Sequence, residues 1–147
     1  MIRKITRVFV LVLALFTLFP TYAYAAMPHP NYVQDSDYIS YYDAYVSSPG
    51  YNQAKIWFSV IALSTSDEVG VLTAILQETD DFTHINNIKI FQCTDYSNMI
   101  AENTNRHDSY VSEYVEHGHW YRAQLIFYVA NNGGSDSRYC VTEWVYI

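Results

Sequence analysis

The sequence has little cysteine, glycine, proline or positive charge. Its 147 residues include 2 Cys, 5 Gly and 4 Pro, which excludes a collagen-like repeat, a proline-rich disordered chain and a dense disulfide scaffold. It contains no sequence motif of a serine hydrolase, a zinc protease or an EF-hand. What it has instead is aromatic rings, with 15 Tyr, 7 Phe and 3 Trp, and half of its residues are hydrophobic. This length and composition are typical of a single folded domain.

The first 25 residues have the three-part order of a secretory signal peptide. Three basic residues precede a run from Val8 to Phe19 that is apolar except for Thr17. Ala23-Tyr24-Ala25 then has the small-x-small pattern of a cleavage site. The run is too short for a stable helix across a bilayer core of about 30 Å. We therefore expect cleavage after Ala25 and release of a secreted, extracellular protein that keeps no membrane attachment. An N-terminal membrane anchor is the alternative.

Cleavage would make the chain strongly acidic. Lys and Arg number 8 against 15 Asp and Glu in the full sequence, and the remainder after residue 25 keeps 5 bases and all 15 acids. Binding of phosphate backbones requires clustered Lys and Arg, whereas these five bases are scattered. We therefore expect neither nucleic acid nor a membrane surface as a partner. The five bases are Lys55, Lys89, Arg106, Arg122 and Arg138.

The two cysteines, Cys93 and Cys140, both lie in the expected mature chain. A cysteine pair in a small exported domain is typical of a disulfide. Closing that loop would stabilise the fold by about 4 kcal/mol on the chain-entropy model. We therefore predict a Cys93–Cys140 disulfide, with two buried free thiols as the alternative.

Alternation of apolar and polar residues dominates the chain from Ala54 onward. This period of two, with many β-branched and aromatic residues, predicts an all-β fold: an antiparallel β-sandwich or small barrel of about 6–8 strands. The predicted strands are Tyr38–Ser47, Lys55–Leu63, Val69–Gln77, Asn87–Cys93, Tyr110–Glu116, Trp120–Ala130 and Arg138–Ile147.

The connections follow from the polar segments between these strands. Ser64–Asp67 predicts a turn, Asn131–Gly134 predicts a hairpin, and residues 97–104 predict one helical turn. Residues 26–37 are expected to form a flexible tail, and residues 38–147 a single β-sandwich domain.

The histidines are the obvious candidates for metal binding. His117 and His119 would share one face of a strand, with Glu116 or His107 as further ligands, but Gly118 between them favours an exposed turn that separates the two rings. The acidic segments Asp35-Ser36-Asp37 and Asp80-Asp81 lack the glycine and distal glutamate of an EF-hand loop. We therefore predict no metal site and no cofactor.

The sequence also lacks a recognisable catalytic motif. His107-Asp108-Ser109 contains the residue types of a catalytic triad, but neighbours on an extended chain point in different directions. We therefore predict that the protein is not an enzyme. The alternative is a small secreted hydrolase or metal-binding protein that uses the histidines.

Tyrosines concentrate in the first part of the expected mature chain. Tyr and Trp offer large rigid faces with a polar tip, which suits stacking on sugars and protein recognition. On a strand, Tyr41 and Tyr45 would point outward with Asp43, while Tyr42 and Val46 would face the core. Tyr41, Tyr45 and Trp57 are therefore the candidate binding residues. The alternative is that these rings pack in or along the edges of the domain.

The run Val-Glu-His-Gly-His-Trp-Tyr-Arg, from Val115 to Arg122, has a G-x-x-Y-R turn that leads into a strand. Upstream, Ala74-Ile75-Leu76-Gln77 ends a strand before a polar turn and Phe82. With the signal peptide, this pattern resembles a family of small secreted β-sandwich proteins of Gram-positive bacteria with no assigned function. The resemblance implies the fold and secretion, and it carries no catalytic residue.

Together these features predict a secreted, non-catalytic β-sandwich protein that acts outside the cell as a binding or envelope-associated module. Its expected partner is a polysaccharide or an extracellular protein. The sequence does not define its oligomeric state.

Overall fold

The computed structural model describes residues 31–32 and 36–147, so the predicted signal peptide and most of the predicted tail lie outside the described residues. Within the described part, no helix is long and apolar enough to cross a membrane. In the described ranges, eight strands form one antiparallel sheet, and one 3₁₀ turn, Ser97–Met99, precedes the fifth strand. The strands are β1 (Asn31–Tyr32), β2 (Ile39–Ser47), β3 (Gln53–Thr79), β4 (Asn86–Gln92), β5 (Ile100–Tyr114), β6 (Trp120–Asn131), β7 (Gly134–Val141) and β8 (Val145–Tyr146).

The 27-residue strand β3 organises the sheet, because four other strands pair with it. The predicted turn at Ser64–Asp67 is wrong, since β3 continues through that segment. A shift in the β3–β5 register between Ile61 and Ser66 allows the strand to bend there without ending. The buried Ser66 hydroxyl donates a hydrogen bond to the Ser64 carbonyl oxygen, 3.0 Å away, which satisfies its polar group inside the bend.

The bend divides the sheet into two halves that share one core. The first half-sheet consists of β2, the first part of β3 and the second part of β5. The second half-sheet consists of the rest of β3 with β4, β6 and β7. The inward side chains of both halves belong to one buried cluster, and the rings of Tyr42 and Phe127 meet across it at 4.9 Å. The sheet therefore curls on itself, and each half turns its other face outward.

The prediction of an antiparallel all-β fold is confirmed, and the sheet is continuous through the bend. The hairpin at Asn131–Gly134 is confirmed, since β6 and β7 pair directly around it. Strand β5 begins ten residues earlier than its predicted start at Tyr110, because its polar first part pairs with the second half of β3. The predicted helical turn at residues 97–104 is reduced to the 3₁₀ turn.

The predicted Cys93–Cys140 disulfide is wrong, because both thiols are free. Cys93 directly follows β4 and Cys140 lies in β7, and β3 and β6 separate these two strands in the sheet. Three strand spacings of about 4.8 Å place the cysteines about 14 Å apart along the sheet, beyond the roughly 7 Å between Cα atoms that a disulfide allows. The strand order of the sheet therefore excludes the disulfide, and the spacing of the two cysteines in the sequence does not reveal that order.

We expect the thiols to be dispensable for stability. Burial, with a smaller effect of the Asp43 carboxylate, raises the pKa of the Cys140 thiol to about 11, so this thiol stays protonated at neutral pH. The melting temperature of the protein should therefore be the same with and without a reducing agent. A native mass lower by two hydrogen atoms, with a fall in melting temperature on reduction, would contradict the assignment.

Candidate aromatic binding site

Three aromatic side chains from three neighbouring strands line up on the outward face of the first half-sheet. Tyr45 on β2 lies directly opposite Trp57 on β3, and Trp57 lies opposite Tyr110 on β5. Because strand neighbours alternate between faces, the buried Val46, Ile56 and Val111 beside these residues point the three rings away from the core. We call Tyr45, Trp57 and Tyr110 the aromatic row.

The rings of the aromatic row form a twisted, partly exposed surface. Tyr45 and Trp57 are stacked at 6.3 Å with an interplanar angle of 20°, whereas Trp57 and Tyr110 lie at 4.9 Å with an angle of 51°. Tyr45 is 54 % exposed and Tyr110 is 43 % exposed. The two spacings limit the row to about 11 Å between its outer ring centres, which is the scale of a few small rings.

Lys55 fixes the aromatic row from one side. Its Nζ lies 4.0 Å from the Trp57 ring centroid and 3.4 Å from that of Tyr110, inside the angle between the two tilted rings. Such cation–π contacts contribute about 0.5–1 kcal/mol each at exposed sites. The Trp57 indole N–H also donates to the Ser47 hydroxyl oxygen at 3.2 Å. The row is thus held in place before any ligand arrives.

A polar row lies on the other side of the aromatic row. Asp43, Ser59 and Asp108 are consecutive cross-strand partners on β2, β3 and β5. Together with Tyr45, Trp57 and Phe58 they line a shallow pocket of about 130 Å³. The pocket therefore has aromatic walls along one edge and two carboxylates along the other.

The carboxylate of Asp108 is kept ionised by its neighbour Arg106. The Arg106 guanidinium donates from Nε to Oδ2 at 2.5 Å and from Nη2 to Oδ1 at 3.2 Å. These hydrogen bonds lower the pKa of Asp108, and burial opposes them only in part. Each carboxylate oxygen can accept more than one hydrogen bond, so acceptor capacity remains for a ligand hydroxyl.

The structure brings together two of the three predicted binding residues. Tyr45 and Trp57 form the aromatic row, as their outward register predicts. Tyr41 lies on the same strand, but the polar row separates it from the aromatic row, and it does not line the pocket. Tyr110 completes the row and was missed, because only the β3–β5 register shows that it faces Trp57.

The histidines enter separate contacts. His84 lies 2.7 Å from Asp81 in the β3–β4 turn, and His107 packs against the Phe58 ring. His119 contacts Asp80 and, at 3.6 Å, Glu116, while His117 meets the ring of Tyr146. Among residues 36–147, no group of three or more His, Cys, Asp or Glu side chains could hold a metal ion.

No family model matches the chain, and no curated protein matches it in sequence. The inference about function therefore depends on the geometry of the aromatic row and the pocket.

Proposed function

We propose that this protein is a secreted, non-catalytic module that binds polysaccharide through the aromatic row and the adjoining pocket. The observation that supports this proposal is the exposed alignment of Tyr45, Trp57 and Tyr110 beside the carboxylates of Asp43 and Asp108. We further propose that the two half-sheets pack as a β-sandwich around their shared core, which would give such a site a rigid support. Secretion and membership of the small β-sandwich family are part of the same proposal.

The chemistry of a sugar matches both edges of the pocket. The C–H face of a pyranose ring stacks on the flat faces of Tyr and Trp, and its hydroxyl groups donate hydrogen bonds to carboxylates. Lys55 occupies the angle between Trp57 and Tyr110, so the sugar stacks on the sides of Tyr45 and Trp57 that face the polar row. Asp43, Asp108 and the Ser59 hydroxyl then orient the sugar through its hydroxyl groups.

The dimensions favour a glycan over a protein partner. A stable protein interface buries at least about 1,000 Å², whereas the aromatic row spans about 11 Å and borders a small pocket. The pyranose rings of β-1,4-linked glucose and N-acetylglucosamine carry all their substituents equatorially and therefore present flat C–H faces to aromatic rings. We accordingly propose β-1,4-linked glucans or N-acetylglucosamine polymers as the ligand class.

The test is retention of the purified mature protein by cellulose and chitin and by their soluble hexasaccharides. We expect the wild type to bind at least one of these glycans. Trp57→Ala should weaken binding by roughly tenfold or more, because a stacked ring contributes about 1 kcal/mol and Trp57 also positions both neighbouring rings.

The control variant is Tyr139→Ala. Tyr139 is 58 % exposed, similar to Tyr45, but it lies on β7 in the second half-sheet. This substitution should leave binding unchanged. The proposal is wrong if the wild type binds none of these glycans, or if folded Trp57→Ala binds as tightly as the wild type.

A further inference from the structure

A second group of aromatic side chains lies where β3 ends and β6 begins. Trp120 on β6 pairs with Tyr146 on β8, and their ring centroids are 5.3 Å apart. The ring of Phe82, in the β3–β4 turn, lies 5.4 Å from Trp120 and 5.8 Å from Trp144. Phe82 is 51 % exposed and Tyr146 is 55 % exposed. We call Phe82, Trp120, Trp144 and Tyr146 the aromatic cluster.

The backbone of Phe82 is in an unfavourable conformation that the turn enforces. Its φ of 59° lies in the left-handed region, which bulky side chains rarely adopt and which Gly or Asn adopts more easily. The Phe82 N–H donates to Thr79 Oγ1 at 2.9 Å, and the same hydroxyl donates to the His84 carbonyl oxygen at 2.7 Å. Asp81 Oδ1 accepts the His84 N–H at 2.8 Å. These hydrogen bonds hold the turn that presents the Phe82 ring.

Strained residues cluster at ligand clamps, and the strain at Phe82, unlike that at Tyr51, fixes an exposed ring next to two other aromatic rings. The rest of the aromatic cluster is also held in place, since the Arg122 guanidinium lies 4.5 Å from the Trp144 ring centroid and donates from Nε to Gln77 Oε1 at 2.9 Å. Arg122 thus supports Trp144 as Lys55 supports Trp57 and Tyr110 in the aromatic row.

We propose that the aromatic cluster is a second sugar-stacking site, which makes the protein bivalent for β-1,4-linked glycans. This inference rests on the proposed function, because it takes the same ligand class. Trp120 precedes the fully buried Tyr121 and so belongs to the outward face of the second half-sheet, whereas the aromatic row lies on the outward face of the first. One molecule can therefore bind two glycan chains and bridge them.

The test compares wild type, Phe82→Asn and Trp57→Ala by calorimetric titration with the hexasaccharides of β-1,4-linked glucose and N-acetylglucosamine. The wild type should bind two molecules of hexasaccharide, and each variant should bind one. Since Asn tolerates the left-handed conformation, the relief of strain should offset the lost ring contacts with Trp120 and Trp144, so that Phe82→Asn melts close to the wild type while it loses the second site. The wild type should also aggregate the corresponding soluble polysaccharide, and neither variant should.

The matched control is Tyr51→Asn. Tyr51 also has a positive φ, 56°, and is 96 % exposed in the β2–β3 turn, so this variant should keep both sites. If Phe82→Asn still binds two hexasaccharides, the proposal of a second site is wrong and the proposed function stands. The same holds if the wild type binds only one hexasaccharide and Trp57→Ala abolishes that binding. A wild type that binds neither hexasaccharide would overturn both proposals. Concentration-dependent dimers that Phe82→Asn abolishes, with glycan stoichiometry unchanged, would assign the aromatic cluster to self-association instead.

Discussion

Gly70→Ala should destabilise the fold by about 3 kcal/mol or more, a large part of the 5–15 kcal/mol that stabilises a typical domain. Gly70 lies on β3 between β5 and β6, where it pairs with Ile100 and Tyr128. A Cβ atom at this position would be 2.0 Å from the Met99 carbonyl oxygen and 2.9 Å from the Ile100 Cα. Both are backbone atoms, so they cannot rotate away as a flexible side chain would, and the start of β5 would have to move.

Chemical denaturation of Gly70→Ala and Gly133→Ala measures this effect. At Gly133 the nearest atom to an added Cβ is the Tyr38 hydroxyl oxygen at 3.4 Å, an ordinary contact at the end of a side chain. Gly133→Ala should therefore change the free energy of unfolding by less than about 1 kcal/mol. A Gly70→Ala variant as stable as the wild type would show that β5 does not cross β3 this closely.

Replacing both pocket carboxylates, in the variant Asp43→Asn/Asp108→Asn, should weaken glycan binding by roughly a hundredfold. Hydrogen bonds to charged groups contribute about 1.5–3 kcal/mol each, and an amide of the same shape accepts them less strongly. Each substitution alone should cost roughly tenfold. Because the amides preserve the shape of the pocket, the melting temperature should change little. Calorimetric titration with the hexasaccharide that binds the wild type measures the loss.

The pH dependence of glycan binding separates the role of Asp108 from that of Asp43. Since the hydrogen bonds from Arg106 lower the pKa of Asp108, this carboxylate stays ionised to a lower pH than an ordinary aspartate and remains able to accept hydrogen bonds from a ligand there. In Asp43→Asn, binding should therefore weaken only at a pH below that at which an ordinary aspartate protonates. In the double variant Asp43→Asn/Arg106→Gln, the loss of binding should occur at a higher pH, because the guanidinium that stabilises the ionised Asp108 carboxylate is gone. Unchanged affinity of the double amide variant at neutral pH would show that the pocket carboxylates do not contact the ligand.

The sequence alone predicts which residues face outward in those strands where apolar and polar residues alternate strictly. Even-numbered residues from Ala54 to Ala62 are buried on β3, so the outward position of Trp57 could be predicted from the pattern. The same holds for β2, where Tyr42 and Val46 are buried and Tyr45 is exposed. Local periodicity determines which face a residue occupies, and this half of the site follows from it.

The remaining half of the site depends on contacts between distant strands. Tyr110 joins Trp57 only through the register of β5 on β3, and the polar first part of β5 does not alternate as a strand that is half buried would. Phe82 lies next to Trp120 and Trp144 because β6 pairs with the second part of β3 up to its last residue, Thr79, which is opposite Trp120. The predicted Cys93–Cys140 disulfide is wrong for the same reason, since the strand order β4-β3-β6-β7 is a property of the whole sheet.

The most direct test of the aromatic row is a titration of the isotope-labelled protein with the hexasaccharides, followed through the nuclear magnetic resonance signals of the tryptophan indole N–H groups. Trp57 donates its indole hydrogen to Ser47, so this signal reports on the aromatic row itself. We predict that this signal shifts with a saturating dependence on hexasaccharide concentration, together with the ring signals of Tyr45 and Tyr110. A Trp57 signal that stays unchanged at saturating hexasaccharide would contradict the proposed function.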